Sequence, residues 1–183
     1  MLRTVQFVTG NPNKLREARE ILGVDIQLAD AGELEELQTI HVEELIRHKA
    51  EEAYKKIGAP IIVEDTGLIF HAWNGLPGAL IKWFLATVDN EGLIKMLCGS
   101  EDRKALAQCY IAYNDGSEIR VVKGEISGTI SETVRGDGGF GWDKIFIPEG
   151  HDRTFGEMAP EEKNSFSMRK RAFENLRTLL DSL

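Results

Sequence analysis

The sequence lacks the features that mark secreted, membrane-spanning and nucleic-acid-binding proteins. Only two cysteines, Cys98 and Cys109, occur in 183 residues, and their spacing fits neither a metal site nor a redox pair. No apolar run approaches the roughly 20 residues that a membrane span requires, and Met1–Thr4 enter a strand-like pattern rather than a signal peptide. The formal net charge of −8 argues against non-specific affinity for nucleic acid. We therefore expect a cytoplasmic protein that binds no nucleic acid and no membrane.

Readable motifs for zinc binding and triad catalysis are also missing. The four histidines, His41, His48, His71 and His151, show no ligand spacing and have no evident serine or cysteine partner. The sequence contains no internal repeats, low-complexity tracts or heptads. Its 183 residues, 42% of them hydrophobic, suffice for one domain with a good core, or for a domain with a small additional lobe.

What is present begins with a strand-to-helix turn near the N-terminus. Val5–Val8 read as a strand, and the turn after it offers Gly10 for the bend, Asn11 as a helix cap and Pro12 at a first helical position. The apolar spacing predicts a helix that ends before Gly23. Such a turn directs backbone N–H groups and the positive helix end outward, which favours anion binding. Without the second glycine of a Walker A loop, the pattern fits either a phosphate loop or an ordinary capped helix.

A second polar segment follows the short apolar run Ile61–Val63. This run predicts a buried strand that ends at Glu64 and Asp65, followed by Thr66 and Gly67. Carboxylates at the end of a buried strand are costly unless a cation receives them, so a metal ion or a Lys/Arg cluster is expected there. The alternative is that both acids lie in a solvated turn.

The remaining segments predict a chain in which helices and strands are mixed. Gly124 and Gly128 interrupt the long strand pattern and indicate bulges or the close approach of another backbone. The predicted elements are strand Val24–Leu28, helix Val42–Lys56, strand Leu68–Trp73, a mostly buried helix Ala79–Val88, a short helix Glu91–Leu97, hairpin strands Ala105–Tyr113 and Ile119–Ile130, strand Ile145–Pro148, and a helix from Pro160 to the C-terminus.

Glycines and aromatics alternate in the segment Arg135–Asp143, and a strongly basic run lies in the first half of the last helix. A loop of this kind can lay a flat ring against a planar ligand, or it can be a glycine-rich turn whose aromatics belong to the core. Together with the anion loop and the strand-end acids, it suggests phosphate, divalent-metal and planar-ring sites. That combination describes a nucleotide enzyme, and oxygen ligands together with phosphates favour Mg²⁺.

Five motifs, in order along nearly the whole chain, resemble those of the inosine triphosphate pyrophosphatase (HAM1-like) family. They are Thr-Gly-Asn-x-x-Lys-Leu at 9–15, Val-Glu-Asp-Thr-Gly-Leu at 63–68, Gly-Leu-Pro-Gly at 75–78 with Ile-Lys-Trp-Phe at 81–84, Gly-Phe-Gly-Trp-Asp at 139–143, and Glu-Lys-Asn-x-x-Ser at 162–167. The resemblance implies an elongated α/β fold, in a single domain over residues 1–183, with a mixed sheet, two lobes and a central nucleotide-binding cleft. It also implies a homodimer and Mg²⁺-dependent hydrolysis of ITP, dITP and XTP to the monophosphate and pyrophosphate.

The resemblance also assigns roles to individual residues. Asp65 corresponds to the catalytic acid, which orients or deprotonates a water, and Glu36, Asp65 and Glu64 are the metal candidates. The triphosphate would be held by Thr9, Asn11, Lys14 and Lys49. Lys82 would be a further phosphate contact or a lysine whose side chain extends from the core to solvent. Phe140 would stack on the base and Trp142 would shape the pocket. The substrate-binding set is Thr9, Asn11, Lys14, Lys49, Thr66, Lys82, Phe140, Trp142, Asp143, Lys163, Ser167 and Arg169.

Base choice is expected to depend on Arg169, because inosine and xanthine present an acceptor at O6 whereas adenine presents an amino donor. One departure is Met168, which stands where the family usually has a histidine. We expect activity to survive this change with altered base discrimination. Two alternatives remain open: a Maf-like pyrophosphatase that prefers pyrimidine nucleotides, and a nucleotide-binding protein that does not hydrolyse its ligand.

Overall fold

A computed structural model describes residues 5–23 and 26–182, and the predictions for Met1–Thr4 and for the first two residues of the Val24–Leu28 strand lie outside that range. The elements are β1 (Gln6–Val8), α1 (Pro12–Leu22), β2 (Gln27–Ala29), α2 (Val42–Ile57), β3 (Ile61–Phe70), β4 (Pro77–Gly78), α3 (Ile81–Met96), β5 (Lys104–Asn114), β6 (Ile119–Ile130), β7 (Phe146–Pro148), α4 (Pro160–Phe166) and α5 (Met168–Asp181), with 3₁₀ turns at His71–Trp73 and Phe155–Glu157.

Within the described part of the chain, seven strands form one mixed sheet. The order is β2-β1-β3-β5-β6-β7, and β4 pairs with β3 outside this path. β1 is parallel to both β2 and β3, whereas β3, β5, β6 and β7 pair antiparallel with one another in sequence. The hairpin signal Asn-Asp-Gly correctly joins β5 to β6. The expected mixed α/β fold is confirmed.

One edge of β3 is only partly paired, and this feature creates the site. β5 accompanies β3 along its whole length on one edge. On the other edge β1 pairs only with Ile61–Val63, and β4 pairs only with Leu68 and Ile69. Glu64–Gly67 therefore border an opening in the sheet. The expectation that the strand ends at the acids is wrong, because the strand continues through them to Phe70 and it is the neighbouring strand β1 that ends.

The two faces of β3 meet different helices. Ile62, Leu68 and Phe70 belong to a core cluster that includes apolar residues of α1 and α5. Ile61 and Val63 belong to a second cluster with apolar residues of α2. Because side chains alternate along a strand, Glu64 points to the α1–α5 face and Asp65 to the α2 face. The apolar alternation thus sends two adjacent carboxylates to opposite sides of the sheet.

Several other expectations need correction. His71–Trp73 form a 3₁₀ turn rather than continuing the strand. The two helices predicted between Ala79 and Leu97 form one element broken at Asp89, and the first half is not mostly buried, since Trp83 is 56% exposed. The predicted C-terminal helix from Pro160 breaks at Ser167, whose extended backbone separates α4 from α5.

Gly124 and Gly128 lie in an uninterrupted ladder between β5 and β6, so neither marks a bulge. The other expectation, close backbone approach, is confirmed. A Cβ atom on Gly124 would collide with the carbonyl oxygen of Met168, and one on Gly128 would collide with that of Ile147. Gly124 therefore allows the start of α5 to rest directly on the sheet. No helix among residues 5–23 and 26–182 has the length and apolar character needed to cross a bilayer.

Candidate active site

A cavity of about 980 Å³ lies at the opening beside β3. Its walls come from the β1–α1 turn, the segment between β2 and α2, the middle of β3, the start of α3, the glycine-aromatic loop and the start of α5. The predicted site residues on these walls are Thr9, Asn11, Lys14, Glu36, Lys49, Glu64, Asp65, Thr66, Lys82, Phe140, Trp142, Asp143 and Arg169. A more open groove of about 830 Å³, near residues 101–104 and 129–135, contains none of them.

The β1–α1 turn is folded by its own side chains. The Asn11 carboxamide oxygen accepts a hydrogen bond from the backbone N–H of Asn13 at 2.9 Å, and the Thr9 hydroxyl oxygen accepts one from the N–H of Asn11 at 3.1 Å. Pro12 occupies the first turn of α1, as predicted, and Gly23 ends the helix in a left-handed conformation. The N-terminal end of α1 therefore faces the cavity beside Lys14, which suits an anion.

Asp65 lies between two lysines. Its Oδ2 is 2.8 Å from Nζ of Lys49, and its Oδ1 is 3.4 Å from Nζ of Lys14 and accepts the N–H of Thr66 at 2.9 Å. Burial alone would raise the pKa of Asp65, but the two lysines outweigh burial and hold the pKa well below its usual range. Similarly, the carboxylates of Asp65 and Glu64 outweigh burial and raise the pKa of Lys14. Asp65 and Lys14 are therefore both charged at neutral pH.

Glu64, on the opposite face of β3, pairs mainly with Arg169, and its Oε1 also lies 3.5 Å from Nζ of Lys14. The two carboxylate oxygens of Glu64 lie 3.3 and 3.2 Å from the Arg169 guanidinium, and both side chains are essentially inaccessible to solvent. Burial disfavours the charged form of both groups, but their ion pair outweighs burial. The pKa of Glu64 is therefore lowered and that of Arg169 is raised. Because both its oxygens accept from Arg169, Glu64 orients this guanidinium, and its role as a metal ligand stays a prediction.

Glu17 is a site residue that sequence reasoning missed. Its carboxylate is 2.9 Å from Nζ of Lys163 and forms a second ion pair with the guanidinium of Arg169. These two cations lower its pKa despite burial, which acts in the opposite direction. A signal was available, because Glu17 occupies the apolar face of α1 beside Ala18, a position where an unpaired charge would be costly.

The glycine-aromatic loop is held by Asp143. Its Oδ2 accepts the backbone N–H of Phe140 at 2.7 Å and lies 2.6 Å from Nζ of Lys163. Lys163 Nζ is 4.8 Å from the centroid of the Phe140 ring, and Arg169 Cζ is 5.4 Å from it. Trp142 is almost completely buried and packs edge-on against Phe146. Phe140 therefore presents a ring to the cavity with two cations near it, while Trp142 supports the loop from the core.

The structure places two of the predicted substrate-binding residues, Lys163 and Ser167, behind the cavity wall. Lys163 is buried between Glu17 and Asp143. Ser167 is buried too, and its hydroxyl oxygen caps α5 by accepting the N–H of Lys170 at 3.2 Å. Met168, the departure from the family pattern, is buried but lines the cavity.

An ion pair spans the mouth of the cleft. Nζ of Lys82, at the start of α3, is 2.9 Å from Oε1 of Glu36, which lies in the segment between β2 and α2. Lys82 is well exposed, so water competes for this pair and weakens it. Lys82 and Glu36 can therefore separate and contact a ligand instead, at little cost in free energy.

The donor set fits a hard divalent cation. Asp65 and Glu36 both offer cavity-lining carboxylate oxygens, the ligands that Mg²⁺ prefers alongside phosphate oxygens. Among the described residues, three ligand atoms within 4.8 Å of one another occur only at Glu35, His48 and Glu52, none of which was predicted. A metal held by Asp65 and Glu36 would thus need the substrate to complete its coordination.

Fold and site define a mixed α/β protein whose single-sheet cleft has a cationic, carboxylate-lined end and an aromatic end, the pattern of a nucleotide-binding hydrolase. The model of the Ham1 family matches residues 5–179. This chain belongs to the Ham1 family.

Individual relatives extend over nearly the whole chain. It is 45% identical over 181 residues to an inosine triphosphate pyrophosphatase of Yarrowia lipolytica, covering 97% of this chain and 95% of the relative. It is 42% identical over 174 residues to a dITP/XTP pyrophosphatase of Methanopyrus kandleri, covering 93% and 92%. The structure of a HAM1 protein from Coxiella burnetii matches with a TM-score of 0.84 at 30% identity, covering 98% of this chain and 100% of that one.

Proposed function

We propose that this protein hydrolyses the non-canonical purine nucleoside triphosphates ITP, dITP and XTP to the monophosphate and pyrophosphate. The activities for which its relatives over nearly the whole chain are named support this proposal. The observation that carries it is Asp65, which Lys14 and Lys49 hold at the unpaired edge of β3 in a cleft that ends at Phe140 and Arg169. Removing deaminated purines from the nucleotide pool would be the cellular role.

The lysines and the carboxylate would exchange partners when substrate binds. Triphosphate oxygens compete with Asp65 for Lys14 and Lys49, whose side chains are partly exposed at the cavity. As those cations turn to the phosphates, the pKa of Asp65 rises toward its usual value. The carboxylate then becomes a better acceptor for a proton of the attacking water, while the lysines offset charge that develops on the phosphate oxygens.

Asp65 and Glu36 would hold Mg²⁺ beside the triphosphate, since both present oxygen atoms to the cavity. Bound there, the ion would neutralise phosphate charge and polarise the phosphorus–oxygen bonds. Lys82 would move from Glu36 to a phosphate oxygen, because the pair between them is exposed and weak.

The buried end of the cleft would select the base. Phe140 would stack on the purine, and the Arg169 guanidinium would donate to O6 of hypoxanthine or xanthine. Adenine carries an amino donor at this position and would leave the guanidinium unpaired, which costs about 1–3 kcal/mol in a buried site. Glu17 and Glu64 keep Arg169 in a fixed orientation.

We also propose that the protein acts as a homodimer in the cytoplasm. Large apolar residues are exposed on α3 and on the turn before it, among them Trp83 and Leu76, and a second copy would cover them. Both cysteines are free, which suits a reducing compartment. Light scattering coupled to size-exclusion chromatography tests the dimer directly.

Pyrophosphate release from ITP, XTP, GTP, ATP, UTP and dTTP, with and without Mg²⁺, tests the proposed activity. Metal-dependent release from ITP and XTP, and its loss in Asp65→Asn, is the expected result. Release from UTP or dTTP would instead identify a Maf-like specificity. ITP binding without release would identify a nucleotide-binding protein, and either result would overturn the proposal.

A further inference from the structure

A break in α3 lies close to the glycine-aromatic loop. Asp89, inside this helix, has φ 58° and ψ −173°, a conformation that is essentially confined to glycine. Its carboxylate accepts the N–H of Asn90 at 2.7 Å, so the second half of the helix starts anew at Asn90. A non-glycine residue in such a conformation persists only where its surroundings require it.

Asn90 uses this break to reach the loop. Its side chain is buried, and its Nδ2 donates to the carbonyl oxygen of Gly141 at 3.0 Å, across 51 residues of sequence. The Asn90 Oδ1 has no hydrogen-bond partner among the described residues. If the Asn90 carboxamide were rotated by half a turn, its Oδ1 would face the Gly141 carbonyl oxygen, and both atoms are acceptors. The hydrogen bond to Gly141 therefore fixes the orientation of this amide.

Gly141 lies between the two aromatic residues of the loop. It has φ 62°, and a Cβ atom there would be 3.7 Å from Cδ1 of Leu85, which belongs to the first half of α3. The loop therefore contacts α3 directly after the break, through the Asn90 hydrogen bond, while Leu85, before the break, lies close to Gly141. Asp143 anchors the loop as well, because its carboxylate accepts the N–H of Phe140.

We propose that Asn90 is a positioning residue for the base: it holds the Phe140–Trp142 loop at the height where the Phe140 ring stacks on the purine. The proposal rests on the proposed function. Asn90 itself does not line the cavity, so its effect on ligands passes through the Gly141 carbonyl. The same helix carries Lys82 in its first turn, so it links the loop that receives the base to the mouth of the phosphate end.

Asn114 supplies a matched control. It is equally buried, and its Nδ2 donates to the carbonyl oxygen of Ala50 at 3.0 Å, the same kind of bond between distant elements. It does not border the cavity. Its Oδ1 also accepts the N–H of Gly116 at 2.8 Å, so Asn114→Ala removes at least as much hydrogen bonding as Asn90→Ala without touching the loop. The control therefore separates a structural loss from a loss of positioning.

The experiment compares wild type, Asn90→Ala, Asn90→Asp and Asn114→Ala. Steady-state kinetics with ITP and calorimetric binding of inosine monophosphate and inorganic tripolyphosphate are measured for each. For Asn90→Ala we expect KM for ITP and Kd for inosine monophosphate to rise about fivefold, as for one lost hydrogen bond. The kcat and tripolyphosphate binding should stay within about twofold, because the loop contacts the base and not the reacting phosphates. Asn90→Asp should show a larger effect, since two acceptors then oppose each other.

Asn114→Ala should lower the thermal midpoint while leaving every ligand constant within about twofold. Unchanged inosine monophosphate binding in Asn90→Ala would reduce Asn90 to a structural role and overturn the inference. If Asn90→Asp does not fold, Asn90→Ala decides alone, because it removes the bond without burying a charge. A wild type that binds inosine monophosphate but releases no pyrophosphate overturns the proposed activity while leaving the Asn90 test intact. A wild type that does not bind inosine monophosphate overturns both.

Discussion

The two ends of the cleft are both built from ion pairs, but they differ in their access to water. At the phosphate end, the side chains of Lys14, Lys49 and Asp65 keep between 13 and 19% of their surface exposed. At the base end, those of Glu17, Glu64 and Arg169 keep at most 5%. Pairs that water reaches can exchange partners at low cost, whereas buried pairs hold a fixed geometry. The phosphate end is therefore suited to binding and turnover, and the base end to selection.

The largest effect is expected when Arg169, the buried cation of the base end, is replaced. In Arg169→Met, two buried carboxylates, Glu17 and Glu64, lose their shared partner, and breaking such a pair costs about 3–5 kcal/mol of folding free energy. Urea unfolding measures the loss. Arg47→Met, which breaks an exposed pair with Glu43, is the control and should cost about 0.3–0.5 kcal/mol. Similar losses in both variants would contradict the distinction between the two ends.

At the phosphate end the effect should appear in turnover instead of folding. Asp65→Asn keeps the shape but removes the charge and the proton acceptor, so kcat for ITP should fall about 10²–10⁴-fold. Loss of the charged pairs with Lys14 and Lys49 should lower the thermal midpoint by only about 2–4 °C, because both lysines can be solvated at the cavity. A kcat near that of the wild type would show that Asp65 takes no part in catalysis. It would also contradict the proposed transfer of Lys14 and Lys49 from Asp65 to the triphosphate.

The pH dependence of stability sharpens the same point. Since the folded-state pKa of Asp65 is lowered, its pairing stabilises the fold above the ordinary value of 3.8, and this contribution is lost as pH falls toward the folded-state pKa. Lys49→Met should therefore cost about 1 kcal/mol near pH 7 and progressively less below pH about 4. Urea unfolding of both proteins across this range measures the difference. If the difference in unfolding free energy between wild type and Lys49→Met stays constant with pH, Lys49 acts through packing rather than through Asp65.

The smallest effect concerns Met168, which lines the base end without carrying a charge. Met168→His would restore the family's polar group, and we expect the ratio of kcat/KM for ITP over GTP to change by only a few-fold, because Arg169 remains the principal donor. Competition between the two substrates measures this ratio. An unchanged ratio would show that Met168 plays no part in base discrimination.

Local physical rules made much of the fold predictable. The Asn11 cap, Pro12 and Gly23 set the bounds of α1, and the Asn-Asp-Gly turn set the long hairpin. The motif resemblance identified many of the cavity-lining residues, because they belong to short motifs that can each be recognised in the sequence. The burial predicted for Trp83 was wrong. An aromatic residue at helical spacing suggests burial, but this part of the helix faces the cleft mouth and solvent.

The sequence by itself determined the local elements and the residue types of the site, since caps, turns and strand alternation depend on neighbours in the chain. Tertiary structure alone decided that β1 ends where β3 continues, which opens the sheet beside Asp65. It also decided which charges meet. Arg169 lies 105 residues from Glu64 and 152 from Glu17. No local pattern encodes such pairings, because a buried charge takes whichever opposite charge the packing of the helices on the sheet brings within reach.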